Sequence, residues 1–441
     1  MYLPEYVLNL IQQLESRGHQ AWAVGGCVRD SILGILPADY DLCTSALPEQ
    51  TQAVFAGQKL VLAGLKHGTV GVITDDGVVE ITTFRTEGDY SDQRHPGWVR
   101  FVPTIEEDLA RRDFTVNAMA YSPTRGYADP FGGREDLKNR ILRAVGDPAL
   151  RFQEDALRIL RGIRFAARFR MTIHPDTRDA MTTEAPGLDH LAKERIFSEL
   201  SQFLRVARAE DLLEAQPLLA RVIPELEQTM GFDQRNPHHM HDVFTHIAHV
   251  VAGVPGELTL RLAALLHDVG KPPCFTLGDD GRGHFHGHAQ LGAEMANEIL
   301  HRLKAPTALR EEVVWLIHHH MSLYPCEPKA ARRALSRHGL DRMESLLRLQ
   351  LADLGGKGVN DCEDTAAGIL AFRELLRQTA RDEGELTLKT LAVKGNDLMA
   401  HGWSAGPELG QALNRLLQAV IAGELPNDRE TLLAAADRMR N

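Results

Sequence analysis

The sequence predicts a mixed α/β unit over about the first 130 residues and an almost wholly helical remainder. Three observations carry this. Short apolar runs at 21–24, 59–63, 69–74 and 78–84 are separated by Gly and Asp turn signals, as in strands. From residue 134 onward apolar residues recur at spacings of three and four, the period of a helix with one buried face. Pro and Gly breaks near 224–237, 272–283 and 355–358 cut that helical stretch into pieces. A further helical pattern over 5–17 precedes the first strand. A chain of 441 residues exceeds what one core supports. The shifts in pattern suggest units spanning 1–134, 135–205, 206–234, 235–375 and 376–441.

Composition narrows the class. Hydrophobic residues make up 44% and charged residues 25%, the balance of an ordinary soluble globular protein. No apolar run approaches the ~18 residues of a membrane span, and the start Met1-Tyr2-Leu3-Pro4-Glu5 has neither a basic nor an apolar leader segment. The five cysteines are odd in number and scattered, which suits reduced thiols in the cytoplasm and excludes a disulfide framework. A net charge of −11 argues against broad nucleic-acid binding, because phosphates need local cations. Arg134–Arg170 departs from that background, with ten Arg or Lys against five Asp or Glu.

The strongest local feature is Gly25-Gly26-Cys27-Val28-Arg29-Asp30, followed by Asp39-Tyr40-Asp41. Two glycines after a buried strand let backbone amides approach an anion, and a helix starting there directs its N-terminus at phosphates. Arg29 falls in the first turn of that helix, placed for a charge-assisted contact. Asp39 and Asp41 are two apart and share one side of a strand, where they repel unless a cation lies between them. Mg²⁺ carrying substrate phosphates suits that site, and Glu80 on the later strand can supply a third carboxylate. Such a pattern points to metal-assisted nucleotidyl transfer.

Together with Arg111-Arg112-Asp113-Phe114-Thr115-Val116-Asn117-Ala118, Glu154-Asp155-Ala156-Leu157-Arg158, and Lys193-Glu194-Arg195-Ile196 with Glu199, these motifs resemble the class II tRNA nucleotidyltransferase and bacterial poly(A) polymerase family. The resemblance covers about the first 205 residues, with five motifs in the family's order. It implies an α+β head of polymerase-beta-like fold followed by all-α neck, HD and tail domains. It also implies that Gly26, Arg29 and Arg112 bind the nucleotide and that Asp39 and Asp41 hold metal. Asp155, Arg158, Arg161 and Arg164 would line the base pocket. The implied partners are tRNA, CTP and ATP, and a homodimer is compatible with the pattern.

Chemistry supports the pocket assignment. Asp155, Arg158 and Arg161 recur every three residues and would share a helix face. A carboxylate acceptor beside a guanidinium donor matches the amino-donor and ring-nitrogen-acceptor edge common to cytosine and adenine. Guanine and uracil present the reverse order and leave both protein groups unpaired. The polar, Gly/Pro-punctuated segment Thr83–Thr104 looks like the family's flexible loop, which helps switch the pocket from CTP to ATP. A poly(A) polymerase would share the head, but the overall acidity, this loop, and the histidine-rich and C-terminal regions speak against it.

Thirteen of the 20 histidines fall between His238 and His320. An apolar helix, Leu262–Leu266, runs into His267-Asp268-Val269-Gly270-Lys271, with His246 upstream and Asp353 downstream. This spacing resembles the HD superfamily of metal phosphohydrolases. The likeness implies a minimal site of His246, His267, Asp268 and Asp353. His288 and His319 are favoured to complete a second metal position, although His286, His318 and His320 are neighbours that spacing does not separate. Imidazoles and carboxylates suit Mn, Fe, Ni, Co or Mg²⁺, and Lys271 can neutralise a phosphate. The alternative is a chain acting mainly as an HD hydrolase with an RNA-binding head. Residues 385–441 carry Lys394-Gly395-Asn396-Asp397-Leu398 and Gly406-Pro407-Glu408-Leu409-Gly410, similar to the tRNA-binding tail of HD-containing bacterial relatives.

Overall fold

The first helix, Glu5–Ser16, buries Val7, Leu10, Ile11 and Leu14, one stripe at helical spacing. It packs on a strand whose four residues are all buried. That strand, β1 (Ala21–Val24), is followed by β2 (Asp41–Thr44), β3 (Leu60–Val61), β4 (Thr69–Thr74), β5 (Gly77–Thr83), β6 (Arg85–Gly88), β7 (Trp98–Phe101), β8 (Ala120–Ser122) and β9 (Gly126–Ala128). Seven of them form one mixed sheet in the order β3-β4-β5-β2-β1-β8-β9, while β6 and β7 pair as a separate hairpin. β1 is antiparallel to β2, and β2 is parallel to β5. Trp22, Val24, Cys43, Phe84, Ile105 and Leu109 build a core on this sheet.

The computed structural model describes residues 1–88, 98–236, 240–358 and 363–440. Contacts divide it into two units, Met1–Pro224 and Glu225–Asn441, a boundary that falls inside the 206–234 connection expected from sequence. After the sheet, the first unit turns helical. Its helix Leu157–Phe169 packs on Lys193–Val206, and the two-residue strands Ile141–Leu142 and Thr172–Ile173 are a parallel pair inside this stretch. Of the Thr83–Thr104 loop, residues 89–97 lie outside the described residues.

In the second unit the helix Leu258–Leu266 is buried from Leu260 onward on every side, so it forms the centre of the bundle rather than one of its faces. Val243–Gly253 and Leu340–Gly356 pack together beside it, as do His288–Arg302 and Thr307–His319. Asp242 caps Val243–Gly253, its Oδ1 accepting from the Thr245 amide at 3.0 Å. Near the C-terminus Leu391, Val393, Leu416, Val420, Leu432 and Ala436 form a separate small core.

One glycine fixes how the sheet passes into the helical region. A Cβ on Gly133, at the start of the helix Gly133–Asn139, would lie 2.2 Å from the carbonyl oxygen of Thr115. Backbone cannot yield as a flexible side chain does. Gly133→Ala is therefore expected to destabilise the protein by about 1–3 kcal/mol, read as a lower denaturation midpoint in urea; an unchanged midpoint would refute this packing.

Candidate active site and metal centre

The sheet delivers its acidic groups to one place. Val24, the last residue of β1, pairs with Asp41, the first of β2. The chain then turns at Gly25, whose φ of 71° favours glycine, and enters the short helix Gly26–Ile32. A Cβ on Gly25 would come 2.6 Å from Arg112 Nη1, so the turn and Arg112 are in close contact. Asp41 is in β2, but Asp39 precedes the strand, so the two do not alternate along one strand as spacing suggested. Glu80 lies on β5, which flanks β2. Partial burial, then the charges of Asp39 and Glu80, push Asp41 up to about 6 despite nearby Arg112. That coupling fits a site made for a dication, although the three carboxylates do not converge as closely as the histidine cluster below.

Arg29, expected to contact a triphosphate, is not an open side chain. It is buried, with Nε donating to Asp30 at 2.8 Å and Nη1 to Asn117 Oδ1 at 2.5 Å, and its guanidinium lies 4.4 Å from the Phe169 ring. Burial lowers its pKa, and Asp30 opposes that. A carboxylate, a neutral amide and an aromatic ring thus hold Arg29 in place before any ligand arrives. Arg112 donates to Asp108 at 3.4 Å and to the Asn117 carbonyl at 3.4 Å.

The base-pocket residues are placed differently from a single helical face. The helix Pro148–Glu154 stops at Asp155, which is extended, and a new helix starts at Leu157. The break has a local cause, since Asp155 Oδ1 accepts from the Leu157 amide at 3.0 Å and so turns its side chain to cap the next helix. Its Oδ2 accepts from Arg195 at 2.9 Å. Arg158 donates to Glu154 at 2.7 Å and to the carbonyls of Arg151 and Arg111. Arg161 donates twice to Asp113, at 2.9 and 2.7 Å, and Arg164 donates to Glu199 at 2.6 Å. Sequence reasoning quoted Asp113, Asn117, Glu154 and Glu199 inside their motifs without giving them a task. The signal available was charge opposite charge, but only the fold pairs residues 48 and 35 positions apart.

In the second unit His246, His267, Asp268 and Asp353 come together, all buried. His246 Nε2 lies 3.0 Å from Asp353 Oδ1 and 3.3 Å from both His267 Nε2 and Asp268 Oδ2. Asp268 also joins a second group with His288 and His320, whose Nε2 atoms are 3.3 Å apart. His267, His288 and His320 each direct Nδ1 at a backbone carbonyl, of Ala264, Phe285 and Ile317, which leaves Nε2 facing the centre. This corrects one expectation, because His320 and not His319 completes the second group. His319 turns away, its Nδ1 2.9 Å from the Trp315 carbonyl and its ring stacked on Trp315. Periodicity contained the answer, since His320 continues the buried stripe of Val313, Leu316 and Ile317.

Close packing makes the shared Asp268 accessible to both groups. A Cβ on Gly270 would lie 2.5 Å from the carbonyl of His288 and 2.8 Å from the Gly292 amide, so only glycine lets the helix His288–Arg302 approach this closely. Burial would lower His267, but Asp268 and Asp353 outweigh it and lift His267 to about 10. His320 falls to about 4 through burial and the neighbouring His267. Lys271, 2.8 Å from Asp268 and 2.9 Å from Gln234, sits on a cavity of about 400 Å³ beside His286, His288 and His320.

A mixed-sheet head with acidic groups beside a glycine turn defines a nucleotidyltransferase-type module, and the buried His/Asp cluster defines an HD-type module. Family profiles agree: Poly A polymerase head domain over 21–143, RNA and SrmB-binding site of polymerase A over 170–230, HD domain over 239–354, and tRNA nucleotidyltransferase domain 2 over 371–436. A CCA-adding enzyme of Geobacillus stearothermophilus is 35% identical over 97% of this chain and 95% of its own length. An A-adding tRNA nucleotidyltransferase of Deinococcus radiodurans is 36% identical over 92% of this chain and 93% of its own. A Bacillus stearothermophilus CCA-adding enzyme crystallised with CTP matches with a TM-score of 0.73 and 31% identity, covering 100% of this chain and 98% of that one. The chain belongs to the class II bacterial CCA-adding tRNA nucleotidyltransferases with an HD domain, within the tRNA nucleotidyltransferase/poly(A) polymerase family. No helix among the described residues is long and apolar enough to cross a membrane.

Asp113 gives a test of the network. Burial would raise its pKa, but Arg161 and Asn117 hold it down at about 2. A depressed carboxyl contributes stability above its unfolded value near 4, and that contribution is lost as pH falls toward 2. Asp113→Asn is expected to lose about 2 kcal/mol at pH 7, with the difference from the parent shrinking below about pH 4. Denaturation curves at both pH values check this, and a pH-independent difference would contradict it.

Proposed function

We propose that the chain adds C, C and A to the 3′ end of tRNA from CTP and ATP without a nucleic-acid template. The observation that carries this is the placement of Asp41 at the start of β2 and Glu80 on the neighbouring β5, beside the Gly25-Gly26 turn. Asp39 and Asp41, with Glu80 in support, would hold Mg²⁺, which when bound lowers the pKa of an attacking hydroxyl and steadies a leaving pyrophosphate. The Gly26 amide, Arg29 and Arg112 would receive the triphosphate. Asp155 and Arg158 would read the acceptor–donor edge shared by cytosine and adenine. Arg195 and Glu154 keep those two groups in place. Arg161 and Arg164 would line the pocket from their anchors on Asp113 and Glu199. The arginines of 134–170 outside the pocket would track the acceptor stem of the tRNA.

The 36% identical A-adding relative supports a second reading, in which only the terminal A is added. One assay separates them. tRNA ending at its discriminator base and tRNA ending in CC are each incubated with CTP and ATP and the products sequenced. We expect CCA on the first and A on the second, with Asp41→Ala reducing both by about 10³-fold or more. Extension of the CC substrate alone would establish the A-adding reading, and long A tails on either would favour a poly(A) polymerase.

The HD cluster supports an added phosphohydrolase activity. His246, His267, Asp268 and Asp353 would hold one divalent ion and Asp268, His288 and His320 another, drawn from Mn, Fe, Ni, Co or Mg²⁺. When bound, such ions polarise a phosphoester and activate water. Lys271 would neutralise the phosphate, and 2′,3′-cyclic or terminal phosphates that block an RNA 3′ end are the substrates that suit the fusion. His267→Ala with Asp268→Ala is expected to abolish metal-dependent release of phosphate from these ends while leaving nucleotide addition intact. Full hydrolysis by the double variant would sink this reading.

A further inference from the structure

One cavity lies outside both sites. It measures about 670 Å³ and lies between the helix Pro328–His338, the segment 322–325 and the helix Pro407–Ala422. In a chain of net charge −11, no Asp or Glu among the described residues lines it. Its cations are Arg333 and Arg337, one helical turn apart, both exposed and neither with a hydrogen-bond or ion-pair partner among the described residues. The other arginines of this region are committed: Arg332 to Glu383 at 2.8 Å and Arg342 to Glu312.

The opposite lining is aromatic and polar. His319, the ring displaced from the metal cluster, stacks on Trp315 at 4.4 Å, and His338 lies 4.9 Å from the same indole. The Arg342 guanidinium covers that indole at 4.9 Å, so the rings are clamped on one side. Ser322, Tyr324, Ser336 and Gln418 add hydroxyl and amide groups. Tyr324 is fixed by stacking on Phe372 at 5.2 Å.

Two free guanidiniums match a phosphate, and a rigid ring wall matches a planar base. The volume is that of a small-ligand site. We propose that this cavity binds a nucleotide unit, its phosphate on Arg333 and Arg337 and its base against the His319–His338 wall. The same chemistry is offered by a free nucleotide and by a nucleotide within an RNA strand. The proposal does not depend on the activity of either site described above.

Photocrosslinking of the full chain tests it with two probes, 4-thiouridine 5′-monophosphate and an RNA oligonucleotide containing 4-thiouridine, the adducts being mapped by mass spectrometry. Adducts in the peptides spanning 315–338 are expected. Their yield should fall about tenfold in Arg333→Gln with Arg337→Gln, and further in the double Glu variant, while adducts in the first unit persist. Both arginines are exposed, so these variants keep the fold. Adducts with the monophosphate identify a free nucleotide as the ligand, and adducts with the oligonucleotide alone identify an RNA strand. No adduct in that segment with either probe, or an unchanged yield in the double Glu variant, overturns the proposal.

Discussion

A carboxylate taken out of water must meet a counter-charge, and each unit of this protein is arranged around one that does. In the first unit it is Asp113. Its two oxygens receive Arg161 and Asn117, Asn117 in turn receives Arg29, and Arg164 beside Arg161 engages Glu199. The helix Gly26–Ile32 after β1 and the helix Leu157–Phe169 are thereby parts of one charged network. Removing any member leaves another buried group unpaired, which costs more than the bond itself contributes. The arginines expected to meet substrate are therefore positioned in advance, and little reorganisation is left for binding.

In the second unit the corresponding group is Asp268. Two buried clusters share it, and Lys271 balances it from the cavity side. The arrangement depends on backbone as much as on charge. Gly270 lets the turn after the helix Leu258–Leu266 lie against the helix His288–Arg302 at a separation a Cβ would not permit, and that separation carries His288 to within 3.6 Å of Asp268. The His-Asp-x-Gly sequence thus encodes both ligands and the clearance they need.

Those dependencies explain what could be read in advance. The strand Ala21–Val24 and the run Thr69–Thr74 were legible to the residue, because short apolar runs bounded by turn residues are local signals. His246, His267, Asp268 and Asp353 were legible because an adjacent His-Asp pair after an apolar run, with a His upstream and an Asp downstream, resembles the HD superfamily's spacing. The helix break at Asp155 was not, because it comes from a side chain capping a neighbouring amide within a sequence whose spacing reads as continuous. The burial of Arg29 was not legible either. Its partners Asn117 and Phe169 lie far along the chain, and only the sheet order and the packing of the later helix bring them together. His319 was favoured among neighbours that spacing does not separate, whereas the apolar stripe runs through His320.

The distribution of arginine sharpens this picture. An acidic chain facing polyanionic ligands cannot rely on net charge, so attraction must come from cations that acids do not quench. In the pocket region nearly every arginine is already paired, which suits geometric reading of a base more than long-range attraction. Arg333 and Arg337 are the opposite case, exposed, unpaired and walled by rings instead of carboxylates. Paired arginines select and unpaired arginines attract. A surface that keeps two of the latter beside a stacked indole and two imidazoles is built for a phosphate that carries a ring.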